Sequence, residues 1–257
     1  MLKFDNICKT FNPGTPDAAV VFQNFNLELP KGEFLAIVGS NGSGKTTLLN
    51  ILCGSIPADS GRILLAGEDI SRQKEHKRAA KMGRVFQDPS RGVCPSLTVL
   101  ENMALADRKG RPYGLSWGVD KKRRGYYQQQ LERLHLGLEN RLGQKVGSLS
   151  GGQRQALALL LATMTPIDIL VLDEHTAALD PKSSENVMRL TDELVREKNL
   201  TTIMVTHNLK YAVEYGSRLI MMHGGAIVED RGGAEKQALE VADLLGVFNA
   251  ISVECGN

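Results

Sequence analysis

The chain carries little net charge and few cysteines, and it has no apolar run of membrane-spanning length. With 31 Lys+Arg against 29 Asp+Glu the formal balance is +2, so the whole chain offers no electrostatic footprint for nucleic acid, although local patches can still bind it. The four cysteines, Cys8, Cys53, Cys94 and Cys255, lie far apart and form no C-x-x-C pair. That spacing disfavours a zinc site or a disulfide framework and suits a reducing cytosol. The segment Met1-Leu2-Lys3-Phe4-Asp5 lacks the apolar core of a signal peptide, and the longest strongly apolar stretch, Ala156 to Met164, is too short to cross a bilayer. The chain is therefore expected not to span a membrane, while remaining able to dock on one spanned by another chain. No internal repeat or low-complexity segment is present.

What is present is enough for a sizeable core: 257 residues, 42% of them apolar, fit one large domain or a core with a subdomain. The apolar run Phe34 to Val38 is followed by Gly39, Ser40, Asn41, Gly42, Ser43, Gly44, Lys45, Thr46 and Thr47, and then by Leu48 to Leu52. This is the order of a buried strand, a glycine-rich turn and a helix start. The spacing of Gly39, Gly44, Lys45 and Thr46 fits a phosphate-binding loop, in which backbone N–H groups converge on phosphate oxygens and the helix N-terminus adds its positive end. In that reading Lys45 reaches the β- and γ-phosphates and the Thr46 hydroxyl ligates Mg²⁺.

Upstream, Leu2 to Phe4 and Val20 to Leu29 alternate as strands do and predict an antiparallel flank. Phe11 stands before the Asn12 to Pro16 loop, where its ring can stack on an adenine or make a small core contact. Downstream, Arg62 to Leu65 and Gly83 to Phe86 are short enough for strands, and Gln87 ends the second. Its amide can touch a Mg²⁺-bound water and release it when the backbone moves. From Asp88 to about Leu149 the periodicity turns helical, with Thr98 to Ala106 and Tyr126 to Leu136 carrying apolar residues at three- and four-residue intervals. An inserted helical subdomain of approximately residues 88–165 is expected. The basic runs Arg108-Lys109-Gly110-Arg111 and Lys121 to Arg124 can meet lipid headgroups, nucleic acid or an acidic loop, or simply be solvated faces.

Leu149-Ser150-Gly151-Gly152-Gln153 precedes a helical run, Arg154 to Met164. Ser150 is a candidate N-cap and the two glycines permit close backbone approach, so this is a second helix N-terminus fit to hold an anion; an ordinary Ser-Gly-Gly cap explains the local sequence equally well. The apolar strand Ile169 to Leu172 ends in Asp173-Glu174 and belongs in the centre of a parallel sheet. Asp173 suits a metal held through water, and Glu174 can polarise an attacking water. Pro181 opens a helix to about Lys198 with Val187, Leu190 and Leu194 on one face; Thr202 to Val205 is a strand ending at Thr206-His207. The His207 imidazole can donate to a γ-phosphate or serve only the fold. Leu219 to Met222 and Ala226 to Val228 predict a hairpin turning at Gly224-Gly225, and one short helix from about Ala234 to Leu245 closes the pattern.

The order of the loop at Gly39 to Thr46, Gln87, Leu149 to Gln153, Asp173-Glu174, Ala178-Leu179-Asp180 and His207 resembles that of ATP-binding cassette proteins, over nearly the whole chain. The most specific motif is Leu-Ser-Gly-Gly-Gln. The resemblance implies a single α/β domain with a phosphate-loop ATPase core, a mostly parallel central sheet, an antiparallel β flank and an inserted helical subdomain. It further implies ATP and Mg²⁺ as ligands, Lys45 and Thr46 on phosphates and metal, Gln87 as metal and water sensor, Glu174 as catalytic base, His207 as switch histidine, and Phe11 at the adenine-stacking position. One departure is His175, where the family usually has Pro or a small residue. The form Asp-Glu-His-Thr-Ala-Ala-Leu-Asp-Pro is similar to that of bacterial importers associated with amino-acid uptake, including tryptophan-type systems.

The resemblance thus implies the ATPase subunit of a bacterial transporter, peripheral on the cytoplasmic face of the membrane. Its partners would be membrane-spanning permease subunits, a substrate-binding lipoprotein, and a second copy whose Ser150, Gly151 and Gly152 close over the nucleotide in a sandwich dimer. Other readings are an exporter-type or lipoprotein-handling ATPase, a soluble cassette ATPase acting on DNA or ribosomes, and a non-catalytic module using ATP as glue. Nucleic-acid binding is not expected, since the charge is near neutral and no long coiled-coil insertion separates the phosphate loop from Leu149.

Overall fold

The computed structural model describes residues 1–110 and 118–254, so Arg111 and Cys255 lie outside the described residues. The chain folds as two compact units, one formed by Met1–Arg78 with the chain from Asn199 onward, the other by Ala79–Lys198.

The first unit begins with β1 (Leu2–Phe11), β2 (Ala19–Leu29), β3 (Phe34–Gly39), α1 (Lys45–Cys53), β4 (Ser60–Leu65), the two-residue β5 (Glu68–Asp69) and α2 (Glu75–Ala79). The flank is antiparallel, in the order β2-β1-β4-β5, with Phe4 opposite Leu27 on one side and Ile63 on the other. Alternation buries Leu2, Phe4, Leu27, Leu29, Ile63 and Leu65 on one face, where the Phe4 and Phe25 rings meet edge to face at 6.1 Å.

The second unit contains β6 (Met82–Val85), α3 (Val99–Ala106), α4 (Arg124–Glu132), α5 (Gly151–Ala162), β7 (Ile169–Asp173) and α6 (Pro181–Lys198). β6 and β7 run parallel, with Met82 opposite Ile169 and Val85 opposite Leu172. α6 follows its expected bounds: Pro181 opens it, and Val187, Leu190 and Leu194 are buried on its inner face. α4 stops short of the expected Leu136, because the chain adopts positive φ at His135 and Gly137, which a helix cannot. The basic runs are only partly solvated faces. Arg123 Nε lies 2.7 Å from Asp107 Oδ2, whose carboxylate also accepts from the Tyr127 hydroxyl. Lys109 donates to the Met82 carbonyl at 2.5 Å, and burial pulls its pKa down to about 8.

The chain then returns to the first unit with β8 (Thr201–Val205), α7 (Leu209–Glu214), β9 (Arg218–His223), β10 (Ala226–Gly232), α8 (Gly233–Gln237) and α9 (Val241–Glu254). Strands β10, β9, β3 and β8 lie side by side in that order; β3 is parallel to both neighbours and β10 pairs antiparallel to β9. Every residue of β3 and β8 is buried, as a parallel strand covered on both faces requires. The single closing helix expected from Ala234 to Leu245 is instead two, α8 and α9. The break has a local cause: Ala238 ends the first turn, and the Glu240 N–H donates to Asp243 Oδ2 at 2.8 Å, which starts a new helix. No helix among the described residues is long and apolar enough to cross a membrane.

Candidate nucleotide site

Buried β3 delivers Gly39 to the glycine-rich turn, and α1 starts at Lys45 directly behind it. Gly39 has φ of +152°, and a Cβ there would fall 2.2 Å from the Met222 carbonyl oxygen of β9. Only glycine allows the two backbones to approach so closely. Gly44 stands at the N-cap with φ of +100°, and no side chain caps the helix. The positive end of α1 therefore faces whatever enters the loop with no side-chain cap in the way. Ser43, Gly44 and Lys45 are buried, whereas Ser40, Asn41, Gly42 and Thr46 are exposed and Thr47 is half-buried. The Lys45 ammonium donates to the carbonyls of Gly39 and Ser40, each at 2.8 Å, which places a positive charge inside the curl of the loop. The β9–β10 turn braces the loop from outside: the Gly225 N–H donates to the Ser43 carbonyl, and His223 Nδ1 lies 3.4 Å from Ser40 Oγ.

Two further expected residues belong to the same unit. Phe11, half-buried, closes β1 opposite Ala19, with the Lys9 ammonium 5.4 Å from its ring centre. His207 is exposed one residue beyond buried Thr206. Its backbone setting is fixed on both sides, since Thr206 Oγ accepts from the Asn208 N–H and the Asn208 side chain caps α7.

The second unit gathers the acidic pair, Gln87 and the Ser-Gly-Gly turn. Asp173 ends β7 with its Oδ2 3.0 Å from Arg84 Nη2, both side chains largely buried. Arg84 and Arg91 both lie over the Phe86 ring, at 4.6 Å from its centre, while Gln155 of α5 donates to the Phe86 carbonyl at 3.0 Å. Gln87 follows as an exposed residue on a pinned neighbour. Glu174, half-buried, turns the chain in the left-handed region with φ of +48°. Behind it His175 is buried and its Nε2 lies 3.2 Å from Thr191 Oγ; burial pushes its pKa down to about 4, so the ring is neutral.

Ser150 is the N-cap of α5, as its position suggested. It accepts from the Gln153 N–H at 3.2 Å, and Gln153 Oε1 accepts from the Ser150 N–H at 3.1 Å, a reciprocal capping box. Gly152 packs against the start of α6, where a Cβ would meet Ser183 Oγ at 2.8 Å, and a Cβ on Gly151 would meet Leu179 just before that helix. Sequence reasoning passed over Arg84, Thr191 and Ser183. An arginine inside the otherwise small and apolar Gly83-Arg84-Val85 was the one available signal of the first; the other two gain meaning only from packing.

Comparison with known proteins follows this geometry. A family model described as ABC transporter matches residues 22–177. A tyrosine transport ATP-binding protein of Clostridioides difficile (strain R20291) is 48% identical over 250 residues, 96% of this chain and 98% of the relative. A phosphonates import ATP-binding protein of Alcaligenes faecalis is 36% identical over 90% of this chain and 82% of its own. Among solved structures, the ATP-binding cassette MJ0796, in a dimeric post-hydrolysis state bound to ADP and Pi, superposes with a TM-score of 0.76 at 31% identity, over 90% of this chain and 98% of its own. The ADP form of the cassette MJ1267 gives a TM-score of 0.80 at 26% identity, over 100% of this chain and 99% of its own. With its uncapped phosphate loop, its acid-tipped β7 and these relatives, the chain belongs to the ABC transporter family, as an ATP-binding and ATP-hydrolysing component.

Proposed function

We propose that this chain drives a bacterial importer of amino acids, docked on the cytoplasmic face of the membrane against separate permease subunits. The observation that carries the substrate class is the 48% identity to a tyrosine transport ATP-binding protein over nearly the full length of both chains. A substrate-binding lipoprotein outside the membrane completes the assembly.

In this reading Phe11 stacks on adenine, while the N–H groups from Gly42 to Thr47 and the Lys45 ammonium bind the phosphates. Mg²⁺ fits the residues available. The first unit offers a hard oxygen donor in the exposed Thr46 hydroxyl, and the second offers the Asp173 carboxylate and the Gln87 amide. Asp173 already accommodates a cationic neighbour in Arg84, and no group of three or more His, Cys, Asp or Glu among the described residues forms an all-protein cage. A Mg²⁺ held by these residues would supply charge neutralisation for the γ-phosphoryl oxygens. Glu174 orients the attacking water and takes its proton, and His207 donates to the γ-phosphate. Ser150, Gly151, Gly152 and Gln153 of a second copy close over the same nucleotide, because phosphoryl transfer needs positive or dipolar groups on both sides of the transferred group.

Two measurements test this. Glu174→Gln is expected to lower ATP turnover by about 10²–10⁴-fold, the usual worth of a positioned base, while leaving nucleotide binding intact. Tagged Glu174→Gln protein pulled from detergent-solubilised membranes with ATP should bring down a polytopic membrane protein, and vesicles carrying that complex should accumulate labelled tyrosine. Recovery of ribosomes or DNA-associated proteins instead, or a Glu174→Gln protein that hydrolyses ATP normally, would overturn the reading.

A further inference from the structure

We propose that His175 is a positioning residue: its Nε2–H bond to Thr191 on α6 holds the left-handed turn that aims the Glu174 carboxylate. This rests on the reading of Glu174 as the base.

Glu174 is the last place where a chain leaving a buried strand would choose positive φ, because its Cβ then crowds the following carbonyl. Such a conformation persists only where the surroundings over-determine it. Three contacts do so. The Glu174 carbonyl accepts from the Ala177 N–H at 2.9 Å, and the Thr176 carbonyl accepts from Ser184 Oγ at 3.1 Å. Between them the His175 ring reaches Thr191 at 3.2 Å. The direction of that bond is fixed by its neighbour. Thr191 Oγ spends its only hydrogen on the Val187 carbonyl at 2.8 Å, so it can only accept from the imidazole, which must carry its proton on Nε2. Both side chains are buried, so water does not substitute for either partner. A side chain thus ties the turn to the middle of an 18-residue helix.

The test compares turnover in the assembled transporter for two pairs of variants, with circular dichroism and thermal melts confirming that each folds. His175→Ala and Thr191→Val should each lower kcat roughly tenfold, since a small misplacement of a catalytic group is felt at that scale, with KM for ATP within about twofold of wild type. His175→Gln, which can restore an N–H donor near the same place, and Thr191→Ser, which keeps the acceptor, should recover most of the rate. In ¹⁵N-histidine spectra His175 should show the Nε2–H tautomer. A folded Thr191→Val protein with wild-type kcat, Thr191→Ser as slow as Thr191→Val, or an Nδ1–H tautomer would each overturn the proposal. Should His175→Ala fail to fold, the Thr191 pair decides. Glu174→Gln is the control: normal turnover there would remove the base reading itself, whereas an inactive Glu174→Gln beside a fully active Thr191→Val removes only the role of His175.

Discussion

Two glycine-rich turns feed helix N-termini in this chain, and they resolve the same problem in opposite ways. At α1 no side chain caps the helix, and the buried Lys45 curls back on the loop carbonyls. At α5 the Ser150 and Gln153 side chains and N–H groups satisfy one another, and the serine is exposed. A helix start with no side-chain cap and an internal cation presents its positive end to an anion. One closed by its own capping box is stable alone and can offer only what remains, a serine hydroxyl and the amides of two glycines. In the proposed reading the first holds a phosphate and the second touches one that is already held.

Substitutions can break this contrast, the largest effect first. Gly39→Ala should cost roughly 3–5 kcal/mol of unfolding free energy, combining strained φ with overlap on a backbone oxygen that cannot rotate away. Denaturant titration reads this, and a loss under 1 kcal/mol would mean that β3 and β9 can separate freely. Lys45→Ala should weaken ATP binding by about 100-fold, the scale of a charge-assisted contact to phosphate, as measured by calorimetry. Unchanged affinity would show that the loop amides suffice. Ser150→Ala should cost only about 1 kcal/mol of stability, the usual worth of an N-cap, and leave ATP affinity of the isolated chain unaltered. If it weakened that affinity as much as Lys45→Ala, the division of labour between the two turns would be wrong.

The local devices were legible in the sequence because each is written within a few residues. The apolar strand before Gly39, the Ser-x-x-Gln cap at Ser150, the proline opening α6 and the Gly-Gly hairpin after β9 all carry their cause beside them. What escaped depends on distant partners. Arg84 pairs with Asp173 across 89 residues, and Arg123 and Lys109 leave their basic runs for Asp107 and the Met82 carbonyl. The split between α8 and α9 also escaped, since no glycine or proline marks it and a single aspartate makes the new start. The linking residues Ala238, Leu239 and Glu240 include no helix breaker, and the break shows only in the Ala238 cap and the Glu240–Asp243 hydrogen bond.

The brace behind the phosphate loop carries a consequence for how the protein is made. The strand and turn that hold Gly39 and Ser43 in place come late in the chain; Ser40 and His223 are 183 residues apart. At roughly 5–20 residues per second of synthesis, the loop waits about 10–40 s on the ribosome before its support exists. Throughout that interval the newborn chain has the residues for ATP but not the frame that shapes them. Nucleotide can therefore stabilise the finished protein but cannot guide its early folding, and a fragment ending before β9 should be blind to ATP.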